Sequence, residues 1–309
     1  MNPLCEVLLV IWLLFWIPIT AVVRTVSLWL GLVKYKNVDG EVVVITGAGS
    51  GIGRLMALEF AKRNAIVALW DINEKENNLV AEEITRNGFK AHAYYCDCSK
   101  REDIYRVAKR VTDEVGEVTF LVNNAGIATG KNILDCPDNL IQKTIDINTM
   151  AHIWTLKAFL PGMVKRNHGH VVTIASGAGL FGVNRLLDYS ASKFAAVGID
   201  ESLRIELTVE GKTGVKTTCV CPFYISTGMF EGVQTRFPRL LPIVTPEYAV
   251  SRITEAVLTD EPLLVMPRLV YLMYMLKGIL PAQLTLAIGQ RFGVTQSMDH
   301  FVQTRPKQE

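Results

Sequence analysis

Tyr189 and Lys193 bound the run Tyr-Ser-Ala-Ser-Lys. On a helix, residues four apart share one face, a turn from each other. A free tyrosine keeps its proton to about pH 10. An ammonium one turn away favours the tyrosinate. A tyrosine tuned in this way can take a proton from an alcohol or return one to a carbonyl. The same pair is common on surface helices, so its meaning depends on what surrounds it. Ser176 lies 13 residues before Tyr189, and Asn148 lies 28 before Ser176. An Asn inside a helix is more often solvated or bonded to its own backbone than engaged in chemistry.

These side chains need a scaffold, and the first half of the chain describes one. Val42-Val43-Val44-Ile45-Thr46 reads as a buried parallel strand. It runs into Gly47-Ala48-Gly49-Ser50-Gly51-Ile52-Gly53, and a helical pattern follows. A glycine turn between a buried strand and a helix lets backbone N–H groups approach a pyrophosphate at the helix N-terminus. A second strand, Ile66-Val67-Ala68-Leu69-Trp70, ends in Asp71, 18 residues after Gly53. A carboxylate there can accept hydrogen bonds from ribose hydroxyls and repels a 2′-phosphate. Ser50, not Arg or Lys, stands in the glycine loop. The expected cofactor is therefore NAD rather than NADP; the competing reading is a solvated strand end.

Strand and helix patterns continue to alternate. Residues 74–87 and 102–115 read as helices, and 91–96 reads as a strand with Asp97 beyond it. Phe120-Leu121-Val122 opens onto Asn123-Asn124-Ala125-Gly126. Residues 137–165 are largely helical, 171–175 and 215–220 read as strands, and a helix runs from about 189 to 209. This order predicts a Rossmann-type α/β fold, a doubly wound parallel sheet of about seven strands. Ligands in such sheets bind beyond the carboxyl ends of the strands. The glycine turn, Asp71, Asp97 and the Asn124-Ala125-Gly126 turn all fall there.

Taken in order, Thr46 to Gly53, Asn123-Asn124-Ala125-Gly126, Ser176 and the Tyr189–Lys193 run resemble the short-chain dehydrogenase/reductase family over roughly residues 38–265. That resemblance implies a catalytic tetrad of Asn148, Ser176, Tyr189 and Lys193. Tyr189 is then the general acid/base. Lys193 holds the nicotinamide ribose and lowers the Tyr189 pKa. Ser176 bonds the substrate oxygen, and Asn148 holds a relay water through its backbone carbonyl. Cofactor contacts are expected at Gly47, Ser50, Gly51, Ile52, Gly53, Asp71, Asp97, Asn124, Ala125, Gly126, Tyr189, Lys193, Pro222 and Thr227. Where many members carry Pro-Gly, this chain has Pro222-Phe223, which places Phe223 at the carboxamide contact or towards substrate. Substrate contacts are expected at Ser176, Phe181, Leu187, Tyr189, Phe223 and Met229, an apolar set suited to a lipid.

Trp70-Asp71-Ile72-Asn73, Lys157-Ala158-Phe159-Leu160-Pro161, His168-Gly169-His170 and Lys193-Phe194-Ala195-Ala196 resemble the membrane-anchored subgroup of epidermal retinol dehydrogenases and lipid-droplet 17-beta-hydroxysteroid dehydrogenases. Gly228-Met229-Phe230-Glu231-Gly232 leans towards the retinol side. The expected reaction is oxidation of retinol to retinal with NAD. A steroid alcohol is the rival substrate, and a silent lipid-binding protein is the rival class. A homodimer through the helices around Asn148 and Tyr189 is a family expectation.

Half of the 309 residues are hydrophobic and 20% are charged, with a net charge of +2, which gives no reason to expect nucleic acid. Residues 4–23 are apolar apart from Glu6, Pro18 and Thr20, long enough to cross a bilayer as a helix. Arg24, Lys34 and Lys36 follow, and positive residues tend to stay cytoplasmic. The expected organisation is a membrane anchor over residues 1–36, a dehydrogenase domain over 37–266, and an apolar extension with a polar tail over 267–309. Pro18 and Arg24 leave a helix lying in one leaflet as the alternative. The expected location is the endoplasmic reticulum membrane, catalytic domain towards the cytosol, or a lipid droplet. The Cys96/Cys98 and Cys219/Cys221 pairs read as small buried residues, and His168 and His170 as a turn rather than a metal site.

Overall fold

The computed structural model describes residues 32–302, together with positions 12, 16, 19, 23, 26 and 27. The expected anchor over residues 1–36 therefore lies largely outside the described residues. Among those described, no helix is long and apolar enough to cross a membrane. Residues 1–37 and 38–309 group as two compact units. In the second, the stretch after the last strand belongs to the same unit as the sheet.

Among the described residues seven parallel strands form one sheet. They are β1 Val42–Thr46, β2 Ile66–Asp71, β3 Ala91–Tyr95, β4 Phe120–Asn123, β5 Gly169–Ile174, β6 Val215–Pro222 and β7 Leu263–Met266, in the order β3-β2-β1-β4-β5-β6-β7. The helices are α1 Gly51–Ala61, α2 Glu74–Arg86, α3 Arg101–Glu114, α4 Asp138–Ile145, α5 Ala151–Arg166, α6 Leu187–Val209, α7 Pro246–Leu258, α8 Arg268–Lys277 and α9 Ala282–Arg291.

Strand side chains alternate between faces, and β1 is apolar on both. Val43 and Ile45 pack with Met56 and Phe60 of α1 and Ile253 of α7. Val42 and Val44 pack with Val107 of α3 and Phe159 and Met163 of α5. This explains why β1 reads as an unbroken apolar run: helices cover both faces. The strand order reverses at β1, between β2 and β4. Such a switch point leaves a crevice at the strand ends, and the expected cofactor residues gather there.

The expected strands and helices are met to within a few residues. A difference lies between α4 and α5, where residues Asp146–Met150 form a π turn. Such turns often occur at functional sites, and Asn148 sits within this one.

Candidate active site

Thr46 ends β1 and is buried. Its Oγ1 accepts the backbone N–H of Asn124 and of Ala125, each at 2.9 Å. The Asn124 Nδ2 donates back to the carbonyls of Thr46 at 2.8 Å and Gly47 at 3.1 Å. One threonine thus ties the ends of β1 and β4 at the crevice, a role that sequence reasoning did not give it. A threonine closing a buried strand just before a glycine turn is the signal that was there to read. Thr46→Val keeps the shape and leaves two N–H groups without an acceptor. We expect a loss of about 1–3 kcal/mol, read as a lower unfolding temperature, with Thr46→Ser close to the parent.

Gly47 has φ +66° and Gly51 φ +56°, both in the left-handed region that disfavours side chains. A Cβ on Gly53 would collide with the Gly47 carbonyl oxygen and lie 2.6 Å from the Asn124 amide nitrogen. Ser50 stands at the N-cap of α1 with no hydrogen bond from its side chain, and Ile52 packs on the core. A Cβ on Gly51 would meet only Thr227, at 3.8 Å, so that threonine, which follows β6, faces the turn.

Asp71 at the end of β2 accepts the N–H of Gly49 on Oδ2 at 2.9 Å and of Asn73 on Oδ1 at 2.8 Å. Each oxygen keeps a further lone pair for a hydroxyl. Asp97 is engaged differently. Its Oδ1 accepts from the Ser99 N–H at 3.0 Å and hydroxyl at 2.6 Å, and Oδ2 lies 3.5 Å from Lys100. Its carboxylate ties the turn into α3, and Oδ2 keeps acceptor capacity.

The four tetrad residues converge. Asn148 is fully buried. Its Nδ2 donates to the Ile127 carbonyl at 2.9 Å and to Ser192 Oγ at 3.0 Å, while its Oδ1 accepts from Ile127 N–H at 2.9 Å. Both amide hydrogens are therefore engaged. The side chain clamps the loop after β4 to α6, which leaves the backbone as the part of Asn148 suited to a relay. Ser192 in turn donates to the Tyr189 carbonyl at 2.7 Å. A Cβ on Gly126 would lie 3.3 Å from Asn148 Oδ1 and 3.6 Å from Lys193 Nζ. Lys193 donates to the Ile174 carbonyl at 2.7 Å and stands 5.7 Å from the Tyr189 ring centre.

Tyr189 is 4% exposed. Burial pushes its hydroxyl up to about 12, against a hydrogen bond with Ser176 that lowers it. Tyr224 and Cys221 raise it further. Burial also pushes the Lys193 ammonium down to about 8. The expected order, a tyrosine drawn down by its lysine, is thus not the balance of this geometry. Both groups are desolvated, and desolvation favours the neutral form of each.

Ser176 and Tyr189 face an apolar cavity of about 420 Å³. Phe181 and Phe223 line it, as expected, and so does Pro222. Leu187 does not: it opens α6 and is 55% exposed, whereas Leu186 is buried and lines the cavity. Successive helical residues diverge by about a quarter turn, so the neighbour takes the inward place. The same one-residue correction applies to Met229, where Phe230 lines the cavity instead. Lys277 of α8, Leu280 in the turn after it, Leu286 of α9, and Val294 and Thr295 beyond them complete the wall. Sequence reasoning reads 267–309 as an apolar extension with a polar tail and does not place these residues. Lys277 donates to the Leu180 carbonyl at 2.6 Å and lies over the rings of Phe181 and Phe194.

Comparison with known proteins agrees with this arrangement. Residues 41–236 match the family model described as short chain dehydrogenase. The chain is 53% identical to human epidermal retinol dehydrogenase 2, over 88% of each chain. It is 42% identical to human retinol dehydrogenase 10, over 99% of this chain and 96% of the other. A solved short chain dehydrogenase/reductase from Burkholderia phymatum, in complex with NAD, superposes with a TM-score of 0.72 at 24% identity, covering 84% of this chain and 98% of that one. The matched segment carries the glycine turn, the strand-end asparagines and the Ser176–Tyr189–Lys193 cluster, and the chain belongs to the short-chain dehydrogenase/reductase family.

Proposed function

We propose that this protein oxidises retinol to retinal with NAD at a membrane of the endoplasmic reticulum or a lipid droplet. The observation that carries the reading is the position of Ser176 and Tyr189 on the wall of an apolar cavity of about 420 Å³. A cavity so lined suits a long apolar alcohol. The names of the relatives at 42–53% identity support retinol as that alcohol. Exposed Leu272, Met275, Ile279 and Leu284 on and between α8 and α9 support contact with lipid. Exposed Ile205 and Val209 on α6 support pairing of two copies there.

The residues present fit the dinucleotide. Gly47, Gly51 and Gly53 keep side chains out of the turn, Asp71 keeps acceptor capacity, and Thr227 faces the turn. NAD, when bound, supplies the acceptor for the hydride of the alcohol carbon. Ser176 then orients the substrate hydroxyl towards Tyr189, and Tyr189 takes its proton. Lys193 provides positive charge beneath that proton, and Asn148 fixes the loop and helix that frame it. The apolar wall keeps water from the reacting carbon.

Asp71 is the basis for NAD over NADP. Asp71→Asn removes the charge that repels a 2′-phosphate and keeps the shape. Its KM for NADP should fall by about tenfold or more, measured by steady-state kinetics with each cofactor. Parent-like preference in this variant removes Asp71 from the selection.

The Tyr189 hydroxyl stands above its usual value, so at neutral pH little of it is ionised. Oxidation needs the ionised form, and that fraction grows about tenfold per pH unit below the pKa. We therefore expect kcat/KM for oxidation to climb from about pH 7 to 8 and to level above that as Lys193 loses its charge, while reduction of retinal, which needs the protonated tyrosine, stays level up to about pH 8. A flat oxidation profile contradicts Tyr189 as the base in this state. The substrate itself is tested by offering all-trans-retinol and a 17-beta-hydroxysteroid, each with NAD⁺, to membranes carrying the full chain. Retinal alone is the expected product. Steroid turnover without retinal moves the reading to a steroid dehydrogenase.

A further inference from the structure

Tyr189 is held on one side by its own helix and on the other by aromatic rings. Phe230 meets the Tyr189 ring edge-on at 5.7 Å and the Tyr224 ring at 5.3 Å. Behind Phe230, at 6.3 Å, lies Phe301, close to the end of the described chain. Met298 is fully buried in the same cluster as Tyr189 and Leu186. Met298 and Phe301 lie far beyond the segment that matches the family model, which ends at 236.

Residues 294–302 are tied into three separate loops. Ser297 Oγ donates to the Val294 carbonyl at 2.8 Å, so Tyr224 is the donor in its 2.9 Å bond to Ser297. The N–H of Gln234 donates to Ser297 O at 3.2 Å, and that of Val302 to Glu231 O at 3.0 Å. Asn184 and Arg185, just before α6, donate to the carbonyls of Thr295 at 3.1 Å and Met298 at 3.2 Å. Arg185 has φ +61°, a conformation that costs a non-glycine residue energy and persists where its surroundings fix it. Two glycines complete the seat. A Cβ on Gly130 would collide with the Phe301 ring, and one on Gly232 with the His300 carbonyl.

We infer that residues 294–302 form a specificity-determining strap, which presses Phe230 against Tyr189 and closes the cavity around a long apolar alcohol. The inference rests on the proposed function for the identity of that alcohol, but not for the seating of the strap. Phe301 and Ser297 are positioning residues here, because they act through Phe230 and Tyr224. A shorter wall would leave Tyr189 open to water and the apolar chain of the substrate unsupported.

The test uses the full chain with Phe301→Ala, Ser297→Ala and the conservative Phe301→Tyr. Both alanine variants should raise KM for retinol about tenfold with kcat within about twofold, and Phe301→Tyr should stay at the parent values. Hydrogen exchange by mass spectrometry is read on the same samples. Peptides over residues 183–189 and 228–234 should exchange faster in the alanine variants, while those over 42–61 keep the parent rate. A parent-like KM, a loss confined to kcat, or parent-like exchange in those two peptides overturns the inference. If the parent itself turns over no retinol, it is the proposed function that fails, and the exchange measurement alone decides the strap.

Discussion

Tyr189→Phe should lower kcat for retinol oxidation by about 10³-fold, within the range ascribed to a positioned general base. The change removes one oxygen from a side chain that is 4% exposed. The ring contact with Phe230 survives it, as do the bonds of Lys193 to Ile174 and of Asn148 to Ser192. Cofactor affinity and unfolding temperature should therefore stay near the parent. Loss of kcat with the cofactor still bound separates a chemical role from a structural one. A variant that retains a tenth of the parent kcat would remove Tyr189 from the proton transfer.

Gly53→Ala should be the most damaging single change in the cofactor half. The added Cβ collides with the Gly47 carbonyl and crowds the Asn124 amide, both parts of the strand-end tie. Neither neighbour is the free end of a flexible side chain. Overpacking of this kind costs about 1–3 kcal/mol, and more where backbone must shift. In a chain of this length that corresponds to an unfolding temperature lower by roughly 2–10 °C. Affinity for NAD, measured by titration of the purified protein, should fall with it, because the same shift displaces the turn. Gly88→Ala offers a comparison: its φ is +85° but a Cβ there meets nothing within 4 Å. It carries the backbone strain without the collision and leaves the cofactor turn alone.

The parts legible in the sequence share one property: their chemistry is local. β1 is apolar at every position because helices cover both of its faces, and its glycine turn announces itself by spacing. Asp71 follows a buried strand at the expected distance and does receive the Gly49 N–H. Ser176, Tyr189 and Lys193 were readable because one helix and one strand end fix their separation. What was not legible depends on the third dimension. Nothing in Asp146-Ile147-Asn148 marks a π turn, and nothing there shows the asparagine to be buried rather than solvated. Leu187 and Met229 are expected at the cavity, yet Leu186 and Phe230 line it, since the phase of a helix start or short turn is not written in apolar composition. Asp97 shares its type and strand-end position with Asp71, and its bond to Ser99 in the turn is not written in that spacing. The balance between Tyr189 and Lys193 also escaped, because desolvation is set by packing from distant segments. Among those segments are residues 294–302, whose polar and aromatic mixture carries no periodic signal.

The central claim is that hydride leaves the alcohol carbon of retinol for NAD while Tyr189 takes the hydroxyl proton. Retinol carrying deuterium on its alcohol carbon tests this most directly, with membranes bearing the full chain and NAD⁺ as the acceptor. The account predicts labelled NADH formed in step with retinal, and neither product from Tyr189→Phe membranes. Retinal formed with unlabelled NADH, or formed equally by the phenylalanine variant, would contradict it.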